Sequence, residues 1–373
     1  MTWVLDEQRR MLRDSAQTFL AERAPVTHLR KLRDSADAQG YSPELWAAFA
    51  EQGYSAVLVP EAHGGLGLGV AEAGLIAEQI GHTIAPTPFF STAVLAGWLL
   101  KAAGTEAQQK TWLPRIAAAE TTVALAVDER SRHRSSAIET KAARDGGGWK
   151  IDGKKSLVVD GHVAQALIVA ARTDGGIALL LVPAGTPGLK VERTAMVDSH
   201  NAARVTLQGV KVGADALIGT IEQGAALLEQ VLDVGRVVAS AELLGLADEV
   251  FDRTVSYLKE RKQFDRAIGE FQALQHRAAE LFCDLELTRA IVRQALQAVD
   301  EDAKNAPLLA AQAKARACLT ANRAVQEGVQ MHGGIGVTDE LDMGLFMKRA
   351  RVLQELFGDA ATQMDRAAVM SAY

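Results

Sequence analysis

Cysteine is nearly missing from this chain: residues 283 and 318 are the 2 cysteines among 373 residues, and they form no C-x-x-C pair. That argues against a disulfide framework and against structural zinc. Aromatic residues supply only 5%, while alanine is abundant, which favours close-packed helices over a β-sandwich. No run of about eighteen apolar residues without a charge occurs, so no membrane-spanning helix is expected. A basic excess is missing too. Lys plus Arg number 40 against 46 Asp plus Glu, a net charge of −6 that argues against a nucleic-acid binder. The opening MTWVLDEQRRMLRDSAQ turns charged and amphipathic at once and lacks the apolar centre of a signal peptide. The expectation is a cytoplasmic protein.

What is present is an ordinary globular balance, with 48% hydrophobic and 23% charged residues and length for two or three domains. Three zones follow one another. Over 1–119 apolar residues recur at helical spacing, with breaks at Gly40, Pro60 to Gly69, Gly81 to Pro88 and Gly104, which predicts a domain of short helices. Over 120–220 short β-rich runs such as TTVALAV, ALIVAA and IALLLV alternate with turn clusters like Asp145-Gly146-Gly147-Gly148. That predicts a small antiparallel, barrel-like β domain. Over 221–373 the helical period returns in long stretches, Ala225 to Lys259, Phe271 to Val299 and Pro307 to Gln330, followed by two shorter ones. Long alanine-rich amphipathic helices predict a four-helix bundle. The fold class is mostly α with a central β domain.

Three turns carry chemical interest. PEAHGGLGLG, Pro60 to Gly69, holds four glycines, which suits either a helix connection or a close approach to a ligand. No G-x-G-x-x-G opens a βαβ unit, so a Rossmann site is unsupported. YLKERKQFDR, Tyr257 to Arg266, sets Lys259, Arg261, Lys262 and Arg266 at a helix end. They either meet the helix dipole in solvent or grip a pyrophosphate, for which Arg offers planar paired donors. QMHGGIGVTDE, Gln330 to Glu340, ends another long helix with Gly333, Gly334 and Gly336. One glycine is an ordinary cap, whereas three together suggest backbone close to a ligand, with the Gln330 amide beside it. His332 there reads as structural. The remaining histidines show no metal spacing, and SRHRS at Ser131 to Ser135 reads as a solvated basic turn.

Together these pieces resemble the acyl-CoA dehydrogenase family, FAD enzymes that oxidise acyl-CoA thioesters, over nearly the whole chain. PEAHGGLGLG looks like the family's PEEYGGLGLG, ERKQFDRAIGEFQALQ like ERKTFGK…HQ, QMHGGIGV like QI-x-GGxGF, and GWKIDGKKSLVVDG like GYVLNGTKTFITNG. The resemblance implies that Arg261, Gln263, Phe264, Gln272, Gln330, Gly333 and Gly334 contact the pyrophosphate and adenosine end of an FAD whose flavin lies on a neighbouring subunit. An oligomer is implied as well.

The departures concern the chemistry. The family needs a carboxylate to take the thioester α-proton while hydride leaves Cβ for the flavin, a task for a carboxylate whose pKa an apolar pocket can raise. In most members it is the Glu of a YEGT stretch; here Leu356-Phe357-Gly358-Asp359 stands there. A minority place it just before an Arg on the first long C-terminal helix; here that position is Gly235, ahead of Arg236. The flavin-facing TEPGAGSD reads Asp128-Glu129-Arg130-Ser131-Arg132-His133, and the aromatic-Ile-Thr flavin cover reads Leu157-Val158-Val159. The half-site this chain would build for its own flavin is thus altered in three places, while the half it would lend is intact.

The resemblance therefore implies a non-catalytic subunit of a heteromeric acyl-CoA dehydrogenase, like the α2β2 enzymes of bacterial steroid side-chain degradation. It implies a related catalytic partner, a CoA thioester of a steroid or other bulky acid, and an electron-transfer flavoprotein as acceptor. A displaced base is the first alternative. Asp359 is its best substitute; Glu355 also flanks position 357 and Asp233 lies two residues before Gly235, but on a helix each would point away from the old site. A scaffold that lost flavin is the second. Arg236 is left between contacting substrate and pairing with Asp233 or Glu242.

Overall fold

The computed structural model describes residues 5–373. The first four residues of the amphipathic opening lie outside them. The chain folds as two compact units. One gathers Leu32–Ala73 and Pro86–Gly235, and the other gathers the chain through Lys31 with Gly74–Ala85 and Arg236–Tyr373.

The first unit is organised by a sheet. Its strands are β1 (Val123–Ala126), β2 (Lys141–Asp145), β3 (Gly148–Val159), β4 (Ala166–Thr173), β5 (Gly176–Pro183), β6 (Leu189–Ala195), β7 (Asn201–Gly213) and β8 (Leu217–Ile218). They run in the order β6-β7-β3-β2-β4-β5-β8, with β1 laid parallel to β4. The expected barrel is corrected to an open sheet, because β6 and β8 end the path without pairing to each other. It is also mixed: β2 meets β4 in parallel. The six leading residues of β4 are all buried, the mark of a strand covered on both faces. Trp149, Ile151, Leu167, Leu180, Val205 and Leu207 fill the core beneath. In the same unit lie α3 (Pro43–Glu51), a buried π-helical stretch (Phe89–Ala96), α5 (Gly97–Ala103) and α6 (Glu106–Ala117). A capping box at Thr105 and Gln108 starts α6.

The second unit is helical. It contains α1 (Glu7–Arg23), most of α4 (Val70–Thr83), α8 (Gln272–Asp300), α9 (Ala306–His332), α10 (Met343–Glu355) and α11 (Ala360–Met370). The long α7 (Ile221–Glu260) contributes its residues from Arg236 onward. The short α2 (Val26–Asp34) begins here. The predicted long helices lie within a few residues of α7, α8 and α9. No helix is long and apolar enough to cross a membrane among the described residues. A close crossing joins α4 to α7: a Cβ on Gly81 would lie 2.2 Å from the Glu242 carbonyl oxygen, and one on Gly245 would lie 1.8 Å from that of Glu78. Side chains are excluded there, so backbone packs on backbone. Beside the crossing Arg289 donates to both oxygens of Asp248, at 2.9 and 2.7 Å, and to Glu78 at 3.1 Å.

Candidate functional site

In the helical unit, α7 gives way to a tiny hairpin of β9 (Lys262–Gln263) and β10 (Arg266–Ala267). Its two turn residues, Phe264 at φ 55° and Asp265 at φ 63°, are both left-handed, the geometry of a tight hairpin turn. The turn thrusts the Phe264 ring outward, 86% exposed, with its edge toward Phe271. Arg266 stacks over Phe271 at 4.0 Å and is thereby occupied. Arg261, Gln263 and Gln272 lie exposed along the same connection.

At the end of α9, Gln330 is exposed and the glycines that follow divide by role. A Cβ on Gly336 would strike the Val329 carbonyl at 2.4 Å, which is internal packing. Gly333, at φ 65°, and Gly334 would meet nothing within 4 Å, so their backbone faces open space. Open backbone of this kind is compatible with a close ligand, and Gln330, one turn before Gly333, carries an amide donor. His332 is buried, bonds the Gly328 carbonyl through Nδ1 at 2.7 Å and packs on Tyr257 at 4.4 Å. Burial pushes its pKa below the usual value, in keeping with a structural ring.

The turn after α10 is built around buried polar groups. Phe357 is left-handed at φ 57° and its side chain is buried. Its carbonyl accepts from Gln363 Nε2 at 2.7 Å and from Arg236 Nε at 3.3 Å. Arg236 is 2% exposed, while Glu242 is taken by Arg349 at 2.6 and 2.8 Å. Asp359 is the N-cap of α11. Its Oδ1 accepts from the Thr362 amide at 2.8 Å and hydroxyl at 2.6 Å. Glu355 pairs with Arg351 at 2.8 Å.

In the sheet unit, the stretch from Asp128 bonds to itself. Asp128 meets His133 Nδ1 at 2.8 Å. Glu129 accepts from the amides of Glu139 and Thr140 at 2.6 and 2.9 Å and from Lys155 Nζ at 2.8 Å. Lys155 is itself buried and donates to the Val127 carbonyl at 2.9 Å. Burial works against the Glu129 carboxylate, yet the bonds from Lys155 and Thr140 hold its pKa below the ordinary range. Burial depresses the Lys155 ammonium, and Glu129 restores it only in part. Leu157 sits in a bulge of β3 at φ 53° and is 39% exposed. The Pro60 to Gly69 loop folds onto residues 56–59. Leu66, Gly67 and Leu68 donate to Ala56, Val59 and Val57, and a Cβ on Gly65 would sit 1.9 Å from the Val59 oxygen. Packing explains Gly65, and Gly64 and Gly67 take left-handed backbone at φ 80° and 64°.

Sequence profiles of the acyl-CoA dehydrogenase N-terminal, middle and C-terminal domains match residues 6–120, 127–210 and 222–370 in that order. Acyl-CoA dehydrogenase FadE12 of Mycobacterium tuberculosis is 31% identical over 94% of this chain and 92% of its own. The chain belongs to the acyl-CoA dehydrogenase family. Among solved structures, the ChsE4-ChsE5 complex from M. tuberculosis contains a chain 28% identical with a TM-score of 0.92, covering 100% of this chain and 99% of that one. A steroid ACAD variant, Tcur3481-Tcur3483, matches at 30% identity and TM-score 0.90 over 98% of each chain.

For an acyl-CoA dehydrogenase the two halves of the expected machinery thus look different. Arg261, Gln263, Phe264, Gln272, Gln330, Gly333 and Gly334 are all exposed and lie in one unit, near the end of α7, the start of α8 and the end of α9. Phe357, Arg236 and Asp359 are buried in, or committed to, internal bonds. The Glu129–Lys155 pair and the buried Lys314 escaped notice in the sequence. Both are charged residues in ordinary-looking runs, and only the fold reveals their burial.

Proposed function

We propose that this chain is the non-catalytic subunit of a heteromeric FAD-dependent acyl-CoA dehydrogenase. It lends the pyrophosphate and adenosine contacts to a flavin held by a related subunit, and that subunit supplies the base. FAD, when bound, accepts the hydride that leaves Cβ of the acyl thioester. This chain's part is binding: the Arg261 guanidinium offers paired donors to phosphate oxygens, and Gln330 and Gln272 offer amides. Gly333 and Gly334 leave room for backbone approach, and Phe264 presents a flat apolar ring. The observation that carries this reading is the buried, left-handed Phe357 at the base position, in a chain whose lending residues stay exposed.

A phenyl ring accepts no proton, and Gly235 has no side chain at the alternative position. The nearby carboxylates of Asp359 and Glu355 are engaged in a helix cap and an ion pair. The self-bonded Asp128–Lys155 network, with a carboxylate where neutral donors serve a flavin, supports the same reading from the other unit. We assign the substrate as a CoA thioester of a steroid side chain or comparably bulky acid, in an α2β2 assembly with an electron-transfer flavoprotein as acceptor. The likeness to the ChsE4-ChsE5 and Tcur3481-Tcur3483 chains supports this assignment.

The test is the flavin-to-protein ratio by visible absorbance, for the chain alone and after co-expression with candidate related subunits. A colourless lone chain that gives one flavin per pair with one partner is the expected result. One flavin per lone chain would overturn the reading in favour of a self-sufficient enzyme.

A further inference from the structure

Lys314 on α9 is fully buried, and flavin sharing gives it no task. Its ammonium donates to the carbonyl oxygens of Leu353 at 2.9 Å, Gln354 at 3.1 Å and Gly358 at 3.3 Å. Cys318 Sγ, one turn along the same helix, lies 3.3 Å away. Leu353 and Gln354 belong to the last turn of α10, whose carbonyls have no partner within their own helix. A cation at that end is also favoured by the helix dipole. Gly358 lies beyond the helix, so one charge bridges the helix end and the turn that follows it.

Between those anchor points stands Phe357, in a conformation that a residue with a Cβ seldom takes. Ring burial alone is a weak reason for that backbone, because apolar contact is not directional. Hydrogen bonds are directional, and this turn receives them from α7, α9 and α11: Arg236 and Gln363 hold the Phe357 carbonyl while Lys314 holds its neighbour's. Gln354 answers by donating from Nε2 to the Cys318 carbonyl at 3.3 Å, which ties α10 back to α9.

We propose that Lys314 is a latch for residues 356–359. By joining the end of α10 to Gly358, it holds position 357 in the left-handed conformation and keeps its side chain out of water. The latch acts on the backbone, so it holds the turn whatever side chain stands at 357.

Hydrogen exchange followed by mass spectrometry on the full chain tests this. In Lys314→Met, peptides covering 353–360 should exchange at least tenfold faster, while peptides from β4 and β5 keep their native protection. Unchanged exchange at 353–360 overturns the latch, as does a loss of protection spread evenly over both units. Phe357→Ala, which removes the ring but keeps the Cβ, supplies a second arm should Lys314→Met not fold. With the latch intact, the turn should stay within about twofold of native exchange although the ring is gone. A tenfold rise there would mean that ring packing, not Lys314, holds the turn.

Discussion

Asp359 caps α11 by taking both the amide and the hydroxyl of Thr362, at 2.8 and 2.6 Å, on a single carboxylate oxygen. A side chain held this way is a helix cap first. Asp359→Ala should cost about 1 kcal/mol of stability, the usual value of a lost N-cap, and Asp359→Asn much less. Turnover by the assembled complex should be unchanged in both. Loss of turnover in Asp359→Asn, with its melting temperature intact, would promote the displaced-base account.

Arg261 and Gln330 are expected to act on flavin retention. Each bond to a charged phosphate is worth roughly 1.5–3 kcal/mol, so removing the guanidinium should weaken FAD binding about ten- to a hundredfold. Equilibrium dialysis of the complex bearing Arg261→Ala, alone and with Gln330→Ala, reads this out. Native affinity and full activity in the double variant would sink the shared-site reading.

The crossing of α4 and α7 sets up a contrast between two glycines. A methyl at Gly245 would lie 1.8 Å from the Glu78 carbonyl oxygen, whereas one at Gly344 meets nothing within 4 Å. Gly245→Ala should lower stability by about 1–3 kcal/mol, as overpacking does, and Gly344→Ala should leave it unchanged or raise it by up to about 1 kcal/mol. Thermal melts of the two variants decide it, and equal effects would contradict the packing described.

Beside that crossing, burial lifts the Asp248 carboxyl to about 6, against the pull of the Arg289 guanidinium. Unfolded, the group titrates near 3.8. Between those values the folded state binds more protons, so the group's stabilising effect is present below about pH 4 and is lost as pH rises to about 6. Asp248→Asn removes the titration. From pH 4.5 to 7 the stability of the native protein relative to this variant should therefore fall, by on the order of 1–3 kcal/mol. Urea unfolding at the two pH values measures it, and a rise would refute the assignment.

The long helices were legible because their apolar period persists over many turns. The openness of the sheet was not legible. Alternation and turns announce strands, but closure depends on whether β6 finds β8, which no local pattern encodes. The site was half legible for a similar reason. Gly333 and Gly334 stand out in sequence, yet only the fold separates them from Gly336, which packs against Val329. For Arg236 the bond from Nε to the Phe357 carbonyl was not legible, because a backbone acceptor carries no sequence signal.

The hairpin that carries Phe264 gives an unassembled copy of this chain a burden. Phe264, 86% exposed on a turn of two left-handed residues, leaves apolar surface in water in the free chain, and a subunit of the kind proposed above would cover it. On the pairing proposed above, an excess of this chain over its partner should therefore be prone to self-association, and matched synthesis of the two would limit it.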